Sequence, residues 1–228
     1  MSAADLPPLA RRGFLARLSA AAGAAAFLAA PPRAHAAIAA AVPAPAPATS
    51  PEDPDAWIDR VRGRDRLFLH AHRQLLTALA AAHGVRTDGR DAYGVPEREH
   101  GVAVGTHGPA IGGMFTDATW ERFALGERYG VTDRATGRPA VANPFLRPQE
   151  GAPPEATVPA LLARDVVFLA CNVAVRNLSR RIAGEGRPAQ PVHDALLAGL
   201  VPGVTVVPNL FVAISHAQKR GLGYLFVD

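Results

Sequence analysis

The chain contains one cysteine, Cys171, which ends the apolar segment DVVFLAC (residues 165–171). This segment has the composition of a buried strand, and a helix is predicted to start near Asn172. A thiol at a helix N-terminus lies at the positive end of the helix dipole, which favours the thiolate that attacks sulfur or binds soft metals. Cysteine is also among the residues most often buried only for packing. The sequence leaves both interpretations open.

Histidines are the candidate partners of this thiol. His107 follows GVAVGT (residues 101–106), a short apolar run that is predicted to be a strand. The carboxyl ends of strands in an open α/β sheet form the usual ligand crevice, so we expect His107 to meet Cys171 there as a base or co-ligand. His70 and His72 are further candidates for a metal site, and the alternative is that all three are ordinary exposed or loop histidines.

Predicted strands and helices alternate along the chain, and this order positions the candidate residues. We expect strands over residues 101–106, 166–171, 204–207 and 222–227, and helices over residues 67–83, 118–126, 172–183, 190–199 and 209–219. Strands that are apolar on both faces and alternate with helices are typical of a mostly parallel sheet covered on both sides. The predicted fold class is α/β, a single three-layer domain of four to five strands over residues 56–228.

Two further polar features of the sequence have no predicted chemical role. The glycine-rich turn over residues 106–113 lacks the spacing of known phosphate-binding loops, so a plain loop is the better interpretation. Arg176, Arg180 and Arg181 lie in the helix after Cys171 and are predicted to form its solvated face.

The charge balance argues against nucleic acid as a partner. The whole chain has 24 basic and 20 acidic side chains. Residues 1–36 contain four arginines and one aspartate, which leaves 20 basic and 19 acidic side chains in the remainder. A nucleic-acid-binding protein needs a basic surplus or stripe, and this remainder has neither.

Residues 1–36 resemble a twin-arginine signal peptide. They contain RRGFLAR (residues 11–17), an alanine-rich apolar stretch over residues 18–30, and the small-x-small sequence Ala34-His35-Ala36. The apolar stretch is shorter than the roughly 20 residues of a transmembrane helix. We therefore expect a periplasmic or secreted protein with no stable membrane span after cleavage. The alternatives are an uncleaved membrane anchor or a disordered tail. Residues 37–55 are rich in Pro and Ala and are predicted to be a linker.

The C-terminal third resembles the DsrE-like superfamily, small α/β proteins associated with sulfur relay. The resemblance depends on a strand ending in Cys171, the segment PGVTVVP (residues 202–208), and a final strand with Gly221 and Tyr224. It covers residues 165–228 well and residues 66–126 loosely. Export and a long middle insertion depart from the sulfur-relay members, which are cytoplasmic multi-subunit assemblies.

The resemblance implies that Cys171 accepts or carries sulfane sulfur, with a small sulfur species or a protein as partner. It also implies that the chain can form a homo-oligomer, and no cofactor is predicted. Two alternatives remain open. One is a non-catalytic binding or assembly module in which Cys171 only packs. The other is a metal-binding protein that uses Cys171, His107 and either His70 or His72.

Overall fold

Five parallel strands form one sheet in the computed structural model, which describes residues 53–228. The strand order is β4-β3-β2-β1-β5. The strands are β1 (Asp65–Ala71), β2 (His100–Thr106), β3 (Val167–Cys171), β4 (Thr205–Val207) and β5 (Gly223–Val227). The mostly parallel sheet predicted from the sequence is confirmed. The predicted signal peptide, residues 1–36, lies outside the described residues, and so do residues 37–52 of the predicted linker.

Helices connect the strands and cover the sheet. The α-helices of the described residues are α1 (Leu75–Tyr93), α2 (Asp117–Phe123), α3 (Leu125–Tyr129), α4 (Val158–Leu162), α5 (Asn172–Ala183), α6 (Gln190–Ala198) and α7 (Leu210–Lys219). Short 3-10 helices lie at Ile58–Arg60, Glu97–Glu99, Gly108–Met114 and Pro144–Leu146. Within residues 53–228, no helix is long and apolar enough to cross a membrane.

The two faces of the sheet bury two separate apolar clusters. Successive residues of a strand point to opposite faces, so Phe68 and Leu69 of β1 enter different clusters. One cluster lies under α7 and includes Cys171 and Leu210. The larger cluster lies under helices that include α1 and α5. The sheet therefore has helices on both faces, as expected for a three-layer α/β domain.

The helix predicted over residues 67–83 is wrong in both of its bounds. Residues Asp65–Ala71 form the interior strand β1, between β2 and β5, and the helix starts only at Leu75. It continues through Gly84 to Tyr93 and ends at Gly94, which has the left-handed φ of 65° common at helix ends. One glycine inside a helix costs only about 1 kcal/mol, which the buried face of α1 offsets.

The helix predicted over residues 118–126 is divided in the structure into α2 and α3. Ala124 separates them with a left-handed φ of 49°. Gly126, expected near the end of a helix, lies in α3 and is buried against the backbone of Ala140. Residues 130–157 contain no strand or α-helix, only the short 3-10 helix Pro144–Leu146, and α4 follows them.

The close contact at Gly126 gives a stability prediction. A Cβ added there would collide with the carbonyl oxygen of Ala140 and lie 2.7 Å from its amide nitrogen. Backbone atoms cannot rotate away, so we expect Gly126→Ala to lower the free energy of unfolding by about 1–3 kcal/mol or more. Urea denaturation measures this change.

The matched control is Gly84→Ala in α1. Its added Cβ would meet only the mobile carboxylate of Asp88 at 3.3 Å. Alanine is the better helix former by up to about 1 kcal/mol, so this variant should be as stable as the wild type or more stable. Equal destabilisation by the two substitutions would contradict the packing described for Gly126.

Candidate functional site

The carboxyl ends of three neighbouring strands bring Cys171, His107 and His70 to one edge of the sheet. β2 pairs with β1 on one side and with β3 on the other. In this register Ala71 lies opposite Thr106, and Thr106 lies opposite Ala170. His72 and His107, which follow Ala71 and Thr106, therefore leave the sheet beside Cys171, the last residue of β3. His70 lies one residue before the end of β1, at the same edge, where ligands bind in open α/β sheets.

Cys171 and His107 line the same cleft, which has a volume of about 230 Å³. The other residues that line it are Gly108, Val173, Ala174, Asn177, Arg181, Asn209 and Phe211. The cleft thus combines a thiol, an imidazole and a guanidinium, with an apolar wall from Phe211. The thiol and the imidazole are the two side chains that a cysteine nucleophile and its base require.

Cys171 occupies the N-cap position of α5, with φ −71° and ψ 114°, and Asn172 is the first residue of the helix. Nε2 of His193 lies 2.7 Å from Oδ1 of Asn172, which anchors this first turn to α6. The Cys171 residue is only 3% exposed and belongs to the apolar cluster under α7. It therefore faces the cleft through a small opening and is mostly covered by packed side chains.

A chain of hydrogen bonds runs from β5 to the cleft through two histidines. Nδ1 of His70 lies 2.9 Å from the hydroxyl of Tyr224, and Nε2 of His70 lies 2.8 Å from Nδ1 of His107. The backbone amide of His107 also donates to the carbonyl oxygen of Ala71, at 3.2 Å. His107 is held by these two contacts, one to its ring and one to its backbone.

Burial keeps both histidines neutral near neutral pH. It lowers the pKa of His70 from 6.5 to about 4, and the positive charges that His107 and His72 can carry add to this effect. Burial also lowers the pKa of His107, with His72 contributing in the same direction. Asp228 opposes both shifts without reversing them. A neutral imidazole is the form that accepts a proton.

His72 forms the outer layer of the cluster. Its ring stacks on His107, with centroids 4.6 Å apart, and its Nδ1 lies 3.9 Å from the carboxylate of Asp228. That carboxylate accepts a hydrogen bond from the backbone amide of Arg73 at 3.0 Å. Gly108 packs directly on the His72 ring and has a φ of +56°, so a side chain there would be strained and would displace the stack.

His70 and His72 are not two exposed side chains in the structure. The boundary between strand and loop falls between His70 and His72, and His70 is buried, with 4% exposure. Sequence reasoning assigned no chemical role to Tyr224. It placed Arg181 on a solvated helix face, and Arg181 is exposed in the structure while it also lines the cleft. The signal for Tyr224 was its place in the last strand, but only the pairing of β5 with β1 brings it to His70.

A larger cleft of about 730 Å³ opens at the opposite, amino-terminal edge of the sheet. Its polar lining consists of charged side chains: Arg60, Arg62, Arg86, Arg98, Glu99 and Asp165. No cysteine or histidine lines it, so it offers neither a thiol nor an imidazole. We therefore place the candidate site in the smaller cleft.

Within residues 53–228, no group of three or more His, Cys, Asp and Glu side chains is placed to hold a metal ion. The histidines instead contact one another, Tyr224 and Phe211. This arrangement gives no support to the metal-binding alternative.

Comparison with known proteins gives a structural likeness only. No protein-family model matches the sequence. No curated protein matches it either. Among solved structures, the chain is similar to a protein of unknown function from Methanobacterium thermoautotrophicum, with 14% sequence identity and a TM-score of 0.40, over 72% of this chain and 99% of that chain.

Proposed function

We propose that this chain is an exported, DsrE-like protein that accepts sulfane sulfur on Cys171, with His107 as the base. The observation that carries the proposal is that Cys171 and His107 line one cleft at the carboxyl edge of the sheet. A sulfur acceptor needs a thiol, a group that removes its proton, and an opening for the donor. This cleft contains a thiol and an imidazole and is open at one side.

The transfer conserves atoms and electrons when the donor is a persulfide. His107 takes the proton of the Cys171 thiol, and the thiolate attacks the terminal sulfur of the donor. A new sulfur–sulfur bond forms at Cys171 while the bond between the two donor sulfurs breaks. The donor leaves as a thiolate and takes up the proton from His107. The products are a thiol and a persulfide on Cys171, without an external oxidant or reductant.

The hydrogen-bond chain behind His107 is consistent with the role of a base. His107 can donate from Nδ1 to Nε2 of His70, and His70 then donates from Nδ1 to the hydroxyl of Tyr224. In this tautomer Nε2 of His107 has a free lone pair. The opposite direction of donation would place a proton on Nε2 and remove the base. Proton acceptance by His107 therefore requires the direction that ends at Tyr224.

The packing of Cys171 favours a second candidate, a non-catalytic binding module of the same fold. The residue is 3% exposed and lies in an apolar cluster with Val207 and Leu210. A cysteine in such surroundings often has no chemical role. Mass measurement after incubation with a persulfide donor, for the wild type against Cys171→Ser, separates the two candidates.

Export by the twin-arginine pathway is a separate part of the proposal, and it depends on Arg11 and Arg12. We expect replacement of both by lysine to block export and to leave the longer precursor in the cytoplasm, because the pathway requires the arginine pair rather than its charge. Cell fractionation and immunoblotting measure the distribution. The control Arg17→Lys makes the same exchange outside the pair and should be exported normally. Normal export of the double variant would remove the twin-arginine assignment.

A further inference from the structure

A second cleft adjoins the thiol cleft and is lined by positive charge. It has a volume of about 580 Å³. Its lining shares Gly108 and Arg181 with the thiol cleft, so the two clefts meet at these residues. The remaining lining residues are His72, Pro109, Arg128, Tyr129 and Leu178. Of the described residues that line either cleft, none is acidic.

Two guanidinium groups in this lining have no carboxylate partner among residues 53–228. Arg128 uses its Nε to donate to the carbonyl oxygen of Phe123 at 2.9 Å, which anchors the group at the end of α3 and leaves its terminal nitrogens free of ion pairs. Arg181 lies in the last turn of α5. Elsewhere in the described chain many arginines do form such pairs, for example Arg147 with Asp117.

Tyr129 adds an unsatisfied donor to the same cleft. Its hydroxyl oxygen is buried and has no hydrogen-bond partner within the described part of the chain. Burial raises the pKa of Tyr129 to about 12, and the charges of Arg181 and Arg128 oppose part of this rise. The Arg181 guanidinium therefore lies next to the phenol hydroxyl. The phenol keeps its proton and can donate it.

We propose that the cleft lined by Arg128, Tyr129 and Arg181 is a binding site for a small tetrahedral oxyanion. Three donor groups on two helices converge there, and arginine recognises oxyanions through paired N–H donors. A sulfate or phosphate group spreads its oxygens in three dimensions, which suits donors from two helices, whereas both oxygens of a carboxylate lie in one plane. Because the site meets the thiol cleft at Arg181, the oxyanion group belongs to the molecule that reacts at Cys171. That last step rests on the proposed function, whereas anion binding itself does not.

Calorimetric titration with sulfate and with phosphate, at constant ionic strength kept with chloride, tests the site. We expect saturable binding of both anions to the full-length mature protein, and weaker binding of acetate. Arg181→Gln and Arg128→Gln should each weaken the affinity by about tenfold or more, the effect of losing one charge-assisted hydrogen bond. Tyr129→Phe should weaken it by a smaller factor, because the lost hydrogen bond involves a neutral donor.

The control is Arg176→Gln, which removes the same charge from an exposed position of α5 that lines neither cleft. Its affinity for sulfate should equal that of the wild type. Absence of saturable binding, or an equal loss in Arg176→Gln and Arg181→Gln, would overturn the assignment. Sulfate titration of the wild type involves no sulfur transfer, so failure of the sulfur-acceptor proposal remains distinguishable from failure of the anion site.

Discussion

Incubation with a persulfide donor should add sulfur mass to the wild-type protein and none to Cys171→Ser. Cys171 is the single cysteine of the chain, so the modification has no second thiol as an acceptor. The serine hydroxyl occupies nearly the same volume but is a far weaker nucleophile toward sulfur. Intact-mass measurement before and after reduction with dithiothreitol follows the added sulfur, which reduction should remove.

The small exposure of Cys171 determines the controls of this experiment. A buried hydroxyl without a partner costs about 1–3 kcal/mol, so urea denaturation must first show that Cys171→Ser is folded. Cys171→Ala, which introduces no polar group, provides a second non-reactive variant. If the thiol of the native protein takes up no sulfur and reacts only after unfolding, Cys171 has a packing role and the sulfur-acceptor proposal is wrong.

The region around Cys171 could be predicted from the sequence almost to the residue. The predicted helix over residues 172–183 has the same bounds as α5, and the predicted strand over residues 166–171 differs from β3 by one residue. Both predictions are correct because a short apolar run followed by a helical pattern is compatible only with a buried strand followed by a helix. Local patterning and burial favour the same elements in this part of the chain.

The histidine cluster could not be predicted because it depends on strand order. His70 lies in β1, whose segment joins directly to the apolar pattern of α1 and so resembles one longer helix. The position of β1 between β2 and β5 brings His107 to one side of His70 and Tyr224 to the other. No spacing along the chain indicates this neighbourhood, since residues 70 and 224 come together only through the sheet.

Replacement of His107 by glutamine should slow sulfur acceptance by about 10²–10⁴-fold at neutral pH, the usual contribution of a general base. Glutamine keeps a polar side chain of similar size next to His70 but cannot take the thiol proton. Single-turnover mass measurement against time gives the rate. The control is His216→Gln, because His216 pairs with Asp55 at 2.6 Å and does not line the thiol cleft. Its rate should match that of the wild type.

The pH dependence distinguishes a base from a residue that only supports the cleft. Burial lowers the pKa of His107 below 6.5, so His107 stays neutral, and the wild type should keep its rate, as the pH falls through 6.5. The rate should fall only when the pH reaches the lowered pKa, because protonated His107 cannot accept a proton. In His107→Gln this acid limb should be absent. A variant that keeps the acid limb of the wild type would show that His107 supports the structure of the cleft and does not take the proton of Cys171.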